Sequence, residues 1–328
     1  MPRSQLARLG LALALLSTTL SLTLSQPCMA RTPWNKHLPV YDHVVIVVEE
    51  NHSFDDIVGS VKAPYINQLI QQGALLTKMY AEEHNSEGNY FWLFSGSNQG
   101  VGYSDQIPDD AKGGVGNPPN LASALQAKGL SFGGYAESLP TVGSNVAHAG
   151  PYARKHVPWI SFTNLDNGPN PATSVNLTMN EFPADHFETL RTVSIVVPNL
   201  KNDMHDGSIE TADAWLKTKL QAYIDWAQKH NSLLVLTFDE DSHAWTTSKG
   251  LTHPDDTDPN KRNHVATVLV GARIKPGEYP EAPGLTHVNL LRTLEAMYGL
   301  NRSGAQQRWA VKAGISNTRI ITDVFEPQ

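Results

Sequence analysis

Cysteine is almost absent from this chain of 328 residues, which contains one, Cys28. Cys28 falls in an N-terminal stretch that we expect to be removed, so the mature protein should contain no thiol. This excludes disulfide bonds, thiolate metal ligands and cysteine catalysis. A chain of about 300 residues can instead be held together by its hydrophobic core.

Basic residues are outnumbered, with 25 Lys and Arg against 32 Asp and Glu and a formal net charge of −7. The first thirty residues contain two arginines and no acidic residue, so the remainder carries 23 basic against 32 acidic side chains, a net charge of −9. This excess of negative charge disfavours a nucleic-acid partner. Internal repeats and low-complexity linkers are also missing, so we expect residues 31–328 to form a single domain.

The N-terminus has the pattern of a secretory signal peptide. Arg3 and Arg8 give a basic start, residues 9–24 are mostly apolar, and Ala30 ends a stretch suited to cleavage. A membrane anchor is the alternative, but Ser and Thr at positions 17–19 interrupt the apolar stretch, which is shorter than the roughly 20 residues that a spanning helix needs. We therefore predict a signal peptide over residues 1–30, cleavage near Ala30, and a periplasmic or secreted protein without a stable membrane anchor.

Strand and helix patterns alternate along the rest of the chain. Short β-branched apolar runs predict buried strands, and stretches of helical spacing that end at glycine predict helices between them. Residues 137–190 are rich in Pro, Asn, Gly and Thr and predict a long loop excursion over the active face. The alternation indicates an α/β fold. The predicted strands cover 43–48, 74–80, 131–135, 192–197, 232–238 and 265–270, and the predicted helices 63–72, 89–94, 121–128, 212–227 and 287–298.

Polar clusters follow three of the predicted strands, at residues 49–52, 199–206 and 239–241. Ligands bind beyond the carboxyl ends of the strands in open α/β sheets, and carboxylates are costly to bury unless a cation neutralises them. Two acidic clusters at strand ends, Glu49-Glu50-Asn51 and Asp239-Glu240-Asp241, thus indicate a shared divalent cation. Alone, the first cluster could equally cap a helix and the second could be a solvated loop.

Several single residues are candidates for catalysis or phosphate binding. Ser86 lies in a polar turn before a predicted helix, where backbone N–H groups favour an anion, although an ordinary helix cap is the alternative. His205 and His264 each adjoin a predicted strand and could protonate a leaving oxygen, and each could equally be structural. Lys155-His156 could bind a phosphate oxygen or be an exposed surface pair.

At several separated points the chain resembles the phosphoesterase family of bacteria and fungi that groups acid phosphatases with phospholipases C. The run Val-Val-Glu-Glu-Asn-His-Ser-Phe-Asp at 47–55 is similar to the family block Glu-Asn-x-Ser-Phe-Asp. The turn at 84–90 reads His-Asn-Ser-Glu-Gly-Asn-Tyr, where the family usually has His-Pro-Ser-x-Pro-Asn-Tyr, so both prolines are lost. Further matching segments lie in family order at 198–206, 213–216, 237–241, 263–264 and 286–295.

This resemblance implies an alkaline-phosphatase-like fold, with a mostly parallel central sheet flanked by helices on both faces. It implies one or more divalent ions, with Ser86 as both nucleophile and ligand. The other implied metal ligands are Glu50, Asn51, Asp239 and Glu240. The residues implied around the phosphoryl group are Lys155, His156, His205 and His264, and the turn contributes His84 and Asn89 as further substrate-binding candidates.

The predicted activity is hydrolysis of phosphate monoesters, as in an acid phosphatase, through a phosphoserine intermediate on Ser86. A phospholipase C acting on phospholipid head groups is the runner-up, and a sulfatase is disfavoured because no active-site thiol exists. An exported cation- or solute-binding protein is the non-catalytic alternative. Oxygen ligands suit Mg, Ca or Mn, whereas a histidine ligand shifts the preference toward Zn or Fe.

Overall fold

A computed structural model describes residues 38–102, 105–242, 246–247, 250–251 and 263–326. The predicted signal peptide, residues 1–30, lies outside this part of the chain. The strands are β1 His43–Glu49, β2 Ala74–Tyr80, β3 Phe132–Ala136, β4 His148–Ala149, β5 Tyr152–Ala153, β6 Asn176–Thr178, β7 Val193–Val197, β8 Ser232–Phe238, β9 Thr246–Thr247, β10 Gly250–Leu251, β11 His264–Gly271, β12 Gly277–Tyr279 and β13 Leu285–Thr286.

The α-helices are α1 Phe54–Ile57, α2 Pro64–Gln72, α3 Ser86–Ser95, α4 Leu121–Gln126, α5 Ile209–Ala227, α6 His287–Met297 and α7 Arg308–Lys312. Short 3-10 helices cover Asp110–Lys112, Arg154–His156, Pro158–Ser161, Met179–Glu181 and Phe187–Thr189. Among the described residues, no helix is long and apolar enough to cross a membrane.

A nine-stranded sheet forms the centre of the fold, in the order β12-β2-β11-β8-β1-β7-β3-β6, with β13 also paired to β2. The pairs from β8 through β6 are parallel, while β11 is antiparallel to both of its neighbours. The predicted mostly parallel sheet is therefore confirmed. The antiparallel β11 was not foreseen, because a continuously apolar strand has the same sequence pattern in either direction.

β1 lies in the middle of the sheet because both of its faces are apolar. Residues Val44 to Val48 are buried with at most 2 % of their surface exposed. β8 is equally buried along its whole length. Such strands are stable only where other layers cover both faces, which explains the uninterrupted apolar runs in their sequences. Helix α5 packs against β8 and α2, while α3 packs against α6 and α4.

Residues 137–190 contain more structure than a loop excursion. They include the β4–β5 ribbon, several 3-10 turns and the edge strand β6, which pairs with β3. Aromatic side chains at irregular spacing, Tyr152, Trp159 and Phe162, anchor this segment in the core with no more than 2 % exposure each. Because these buried aromatic residues follow neither a helical nor a strand period, they do not allow the secondary structure of the segment to be predicted. All described residues belong to one compact unit.

Candidate active site

Three adjacent parallel strands, β8, β1 and β7, deliver acidic side chains to the same edge of the sheet. Glu50 follows β1, Asp203 follows β7, and Asp239 follows β8. The main chain joins these strand ends: the Glu50 N–H donates to the Asp203 carbonyl (2.8 Å), and the Asp239 N–H donates to the Glu49 carbonyl (2.9 Å). The polar clusters seen in the sequence are thus brought together at the carboxyl edge.

Ser86 is the first residue of α3 and points into this acidic cluster. Its Oγ lies 3.0 Å from Oε2 of Glu50 and 3.3 Å from Oε1 of Glu240, and the residue is 2 % exposed. A hydroxyl has one proton, so it donates to one of the two carboxylates at a time. The hydroxyl oxygen lies at the start of a ten-residue helix, where free backbone N–H groups favour negative charge.

Burial makes the ionised form of this cluster unfavourable on its own. Burial, reinforced by the charges of Asp239 and Asp203, raises the pKa of Glu50 well above its usual range. Burial raises the pKa of Asp203 to about 8 and that of Asp239 to about 7, and in both cases neighbouring carboxylates add to the effect. Carboxylates packed together away from water need a cation to be ionised together at neutral pH.

The donor atoms fit a divalent cation. Carboxylate oxygens of Glu50 and Asp203 and a ring nitrogen of His156 all lie within 4.8 Å of one another. His156 Nε2, Asp203 Oδ2 and Asp239 Oδ2 are buried without a hydrogen-bond partner. Burial, together with the charge of Lys155, lowers the pKa of His156 well below its usual range, so its ring is neutral and a lone pair is available to a metal. Unpaired donors of this kind are what a metal site requires.

The five ligands implied by the family resemblance lie at this edge. Ser86 contacts both Glu50 and Glu240, and the main-chain N–H of Asn51 donates to Asp239 Oδ1 at 3.0 Å. Their role as ligands stays a prediction. Asp203 was not singled out from the sequence, although it lies in the polar cluster after β7. His156 was assigned to phosphate, and its position between Glu50 and Asp203 fits a metal ligand better.

Tyr90 is a further residue that sequence reasoning missed. Its hydroxyl donates to Glu50 Oε1 at 2.5 Å, and its ring stacks on His156 with centroids 5.1 Å apart. Tyr90 lies four residues after Ser86, one helical turn along α3, so both face the same side of the helix. This i, i+4 spacing was the available signal.

The turn before α3 holds two of the substrate-binding candidates in different ways. His84 Nδ1 lies 2.8 Å from Glu240 Oε2, and burial alone would lower the pKa of His84, but Glu240 and Asp241 outweigh it and raise that pKa. Asn89 is buried, accepts the N–H groups of Glu82 and Glu83 and donates to the Glu83 carbonyl. The side chain of Asn89 therefore braces the turn, whereas His84 borders the acidic cluster.

The two candidate general acids differ in their surroundings. His205 is partly exposed, its ring centroid lies 6.0 Å from that of His156, and its Nδ1 lies 2.8 Å from Asp206 Oδ1. His264 stacks on Phe54 with centroids 4.4 Å apart, and its Nε2 contacts the Thr77 carbonyl at 3.0 Å. Burial lowers the pKa of His264. His205 thus adjoins the cluster directly, while the His264 ring is engaged by packing and by the main chain.

A buried histidine joins the segments that carry the site. His287 contacts Glu82 Oε2 through Nδ1 (2.7 Å) and the Phe238 carbonyl through Nε2 (2.8 Å). Because both contacts are acceptors, both ring nitrogens carry a proton. Burial alone would lower the pKa of His287, but the Glu82 carboxylate outweighs it and the pKa is raised. His287 thereby connects the end of β8 to the turn that precedes Ser86.

Glu83 gives a prediction for the pH dependence of stability. Burial raises its pKa from 4.5 to about 7, although Asn98 donates to both of its oxygens. A raised pKa means that the folded protein holds this proton more tightly than the unfolded chain does. The stabilisation is complete below pH 4.5 and is lost as the pH rises through about 7.

Replacing Glu83 by glutamine should therefore remove this pH dependence. Relative to the variant, the wild type is expected to lose up to about 3 kcal/mol of unfolding free energy over that pH interval, measured by urea denaturation. Glu181→Gln changes an exposed carboxylate and serves as the control. Parallel pH profiles for wild type and Glu83→Gln would contradict the assignment.

Comparison with known proteins identifies the family. The model of the phosphoesterase family matches residues 60–301. The chain is similar to a phosphatidylinositol-3-phosphatase of Mycobacterium tuberculosis, with 44 % identity over 81 % of this chain and 80 % of that protein. It is also similar to a probable acid phosphatase of Kluyveromyces lactis, with 28 % identity over 85 % of this chain and 63 % of that protein.

Solved structures agree on the fold. A protein of the alkaline phosphatase superfamily from Vibrio parahaemolyticus superposes with a TM-score of 0.53 at 12 % identity, covering 84 % of this chain and 73 % of that chain. The lipoteichoic acid synthase LtaP of Listeria monocytogenes gives a TM-score of 0.52 at 13 % identity, covering 79 % and 72 %. Both likenesses concern the fold alone. By the family match and its relatives, this chain belongs to the phosphoesterase family and is a phosphoric ester hydrolase.

Proposed function

We propose that the protein hydrolyses phosphate monoesters in a divalent-metal-dependent reaction, with Ser86 as the nucleophile. The observation that carries this proposal is the position of the Ser86 hydroxyl, at the start of α3 and within hydrogen-bond distance of Glu50 and Glu240. Burying several carboxylates around a serine costs folding free energy. Such a costly cluster is typical of a functional site rather than of a structural one.

The cation would be held by Glu50, Asp203 and His156, with Asp239, Glu240, Asn51 and Ser86 as further ligands. When bound, a divalent ion lowers the pKa of a neighbouring hydroxyl and stabilises negative charge on phosphoryl oxygens. A nitrogen donor beside several oxygens favours Zn or Fe over Mg or Ca, with Mn between them.

The other chemical steps are assigned to side chains of the site. Ser86 passes its proton to a carboxylate and forms an Oγ–P bond as the bond from phosphorus to the leaving oxygen breaks. His205 is the favoured donor of the proton that the leaving oxygen takes up, because it is partly exposed and adjoins His156. A water molecule then cleaves the phosphoserine and releases inorganic phosphate. Lys155 and His84 supply positive charge to the phosphate oxygens.

The relatives support a monoesterase over a phospholipase C. Both are named phosphatases, and the M. tuberculosis relative is named for a phosphate on an inositol lipid. A soluble phosphomonoester is therefore the first proposed substrate, and a monoester phosphate on a lipid head group is the second. The N-terminal segment supports an exported, periplasmic or secreted enzyme.

One assay separates these possibilities. The protein is incubated with p-nitrophenyl phosphate, phosphatidylinositol 3-phosphate and phosphatidylcholine, and the released phosphate or phosphocholine is measured. We expect hydrolysis of the monoesters at a kcat/KM at least about 100-fold above that of the diester, loss of activity with a chelator, and recovery with a divalent ion. Faster cleavage of phosphatidylcholine would support the phospholipase. A metal-replete protein inactive on all three would favour a binding protein.

A further inference from the structure

A single carboxylate, that of Asp105, bridges two groups suited to binding phosphate. Asp105 Oδ1 accepts the N–H of Glu87 at 3.1 Å, and Oδ2 accepts from Lys155 Nζ at 2.9 Å. Both side chains of the ion pair are largely buried, with 17 % exposure for Lys155 and 23 % for Asp105. Asp105 thus places an anion where a backbone N–H and an ammonium group converge.

This position adjoins the reacting hydroxyl. Glu87 is the residue after Ser86, and its N–H is one of the donors at the start of α3 that have no partner within the helix. Although burial alone would lower the pKa of Lys155, the charges of Glu50 and Asp239, as well as that of Asp105, raise it. The Asp105 carboxylate in turn interacts with Glu240, which contacts Ser86. His156, the residue after Lys155, has its buried Nε2 unpartnered in the same cluster.

We propose that Asp105 is an affinity-determining residue whose carboxylate occupies the position of the substrate phosphate and is displaced by it. The inference rests on the proposed function, because it takes Ser86 and Lys155 as the groups that meet phosphate. When an internal group occupies the position for most of the time, the apparent affinity for an external anion is the intrinsic affinity multiplied by the small fraction of time for which the position is free. Displacement also leaves a negative charge near the bound phosphate, which further weakens binding and assists release of the product.

The neighbouring ion pair between Arg154 and Asp110 provides a control for the role of Asp105. Arg154, next to Lys155, donates to both carboxylate oxygens of Asp110 and to the carbonyl of Asn145, whereas the Glu87 N–H donates to Asp105. Asp110 and Asp105 belong to the same connecting segment between α3 and α4. Removing the Asp110 charge therefore breaks an ion pair of the same segment and leaves the contacts of Asp105 with Glu87 and Lys155 in place.

The test compares Asp105→Asn with Asp110→Asn in the metal-loaded protein. Asparagine is chosen because Asp105 has a φ of +49°, a left-handed conformation that asparagine also tolerates. Isothermal titration with inorganic phosphate should give a dissociation constant about tenfold lower for Asp105→Asn than for the wild type. Asp110→Asn should bind phosphate within about twofold of the wild type. The KM for p-nitrophenyl phosphate should fall with the phosphate dissociation constant.

Three results would overturn the proposal. Unchanged or weaker phosphate binding by Asp105→Asn would show that Asp105 only orients Lys155. Tighter binding by both variants would assign the effect to loosening of the segment. Unfolding of Asp105→Asn alone would assign Asp105 a structural role. Phosphate binding is measured without turnover, so an inactive protein that still binds phosphate more tightly as Asp105→Asn would refute the proposed function and leave this inference standing.

Discussion

Replacing Ser86 by alanine is expected to lower kcat for an aryl phosphate by at least about 10⁴-fold. The Oγ atom of Ser86 contacts Glu50 and Glu240. Alanine removes this atom and leaves both carboxylates in place. Since most of the proposed ligand set remains, affinity for the divalent ion should fall by less than about tenfold. Steady-state kinetics and titration of the metal-free protein with metal measure the two quantities.

Ser95→Ala is the matched control for this variant. Ser95 is buried at the other end of α3 and donates to the Phe91 carbonyl, so its loss tests disturbance of the helix without touching the acidic cluster. We expect Ser95→Ala to retain wild-type kcat within about threefold, because the loss of a buried hydrogen bond away from the acidic cluster acts mainly on stability. Substantial activity in Ser86→Ala would exclude Ser86 as the nucleophile.

Replacing Asp203 by asparagine is expected to separate metal binding from stability. Asp203 contributes a buried, unpartnered carboxylate oxygen to the cluster with Glu50 and His156. Its loss should weaken metal binding by at least about 100-fold and reduce activity in parallel, with partial recovery at high metal concentration. In the metal-free protein the same change should raise the unfolding free energy by at least about 1 kcal/mol, because a carboxylate that repels Glu50 and Asp239 is removed.

Asp206→Asn is the control for this prediction. Asp206 lies in the same loop, but its side chain is 55 % exposed and pairs with His205. Its metal affinity should remain within about twofold of the wild type, since exposed charges are screened by solvent. Equal metal affinity in Asp203→Asn and the wild type would exclude Asp203 from the site. A lower unfolding free energy of metal-free Asp203→Asn would show that the stabilising contacts of Asp203 outweigh its repulsion from Glu50 and Asp239.

Much of the fold was predictable from local pattern. The apolar runs at β1, β7 and β8 mark strands that lie side by side, because a strand without a polar face has to be covered on both sides. The helix predicted over 212–227 is found as α5, Ile209–Ala227, and that over 287–298 as α6, His287–Met297. The segment at 137–190 was less predictable, since its aromatic anchors follow neither a helical nor a strand period.

Some residues of the candidate site were predictable from the sequence and others were not. Acidic residues directly after buried strands, at Glu50 and at Asp239-Glu240, were visible because such carboxylates need compensation. Asp203 was hidden by distance along the chain, as it follows the end of β7 by six residues and reaches the cluster through a loop. The role of Asp105 could not be predicted from the sequence, because its partners Glu87 and Lys155 lie 18 and 50 residues away from it along the chain.

Local sequence pattern was enough to predict the α/β fold class, the strand ends that carry acidic residues, and a turn with a serine before a helix. These features depend on local composition and spacing, which the chain specifies without reference to distant residues. Contacts between distant segments became visible only in the folded protein: Glu50, and not Glu49, contacts Ser86, His156 lies between two carboxylates, and Asp105 accepts a hydrogen bond from Lys155. Each of these outcomes depends on the direction of a side chain and on contacts between segments far apart in sequence, which local patterns do not encode.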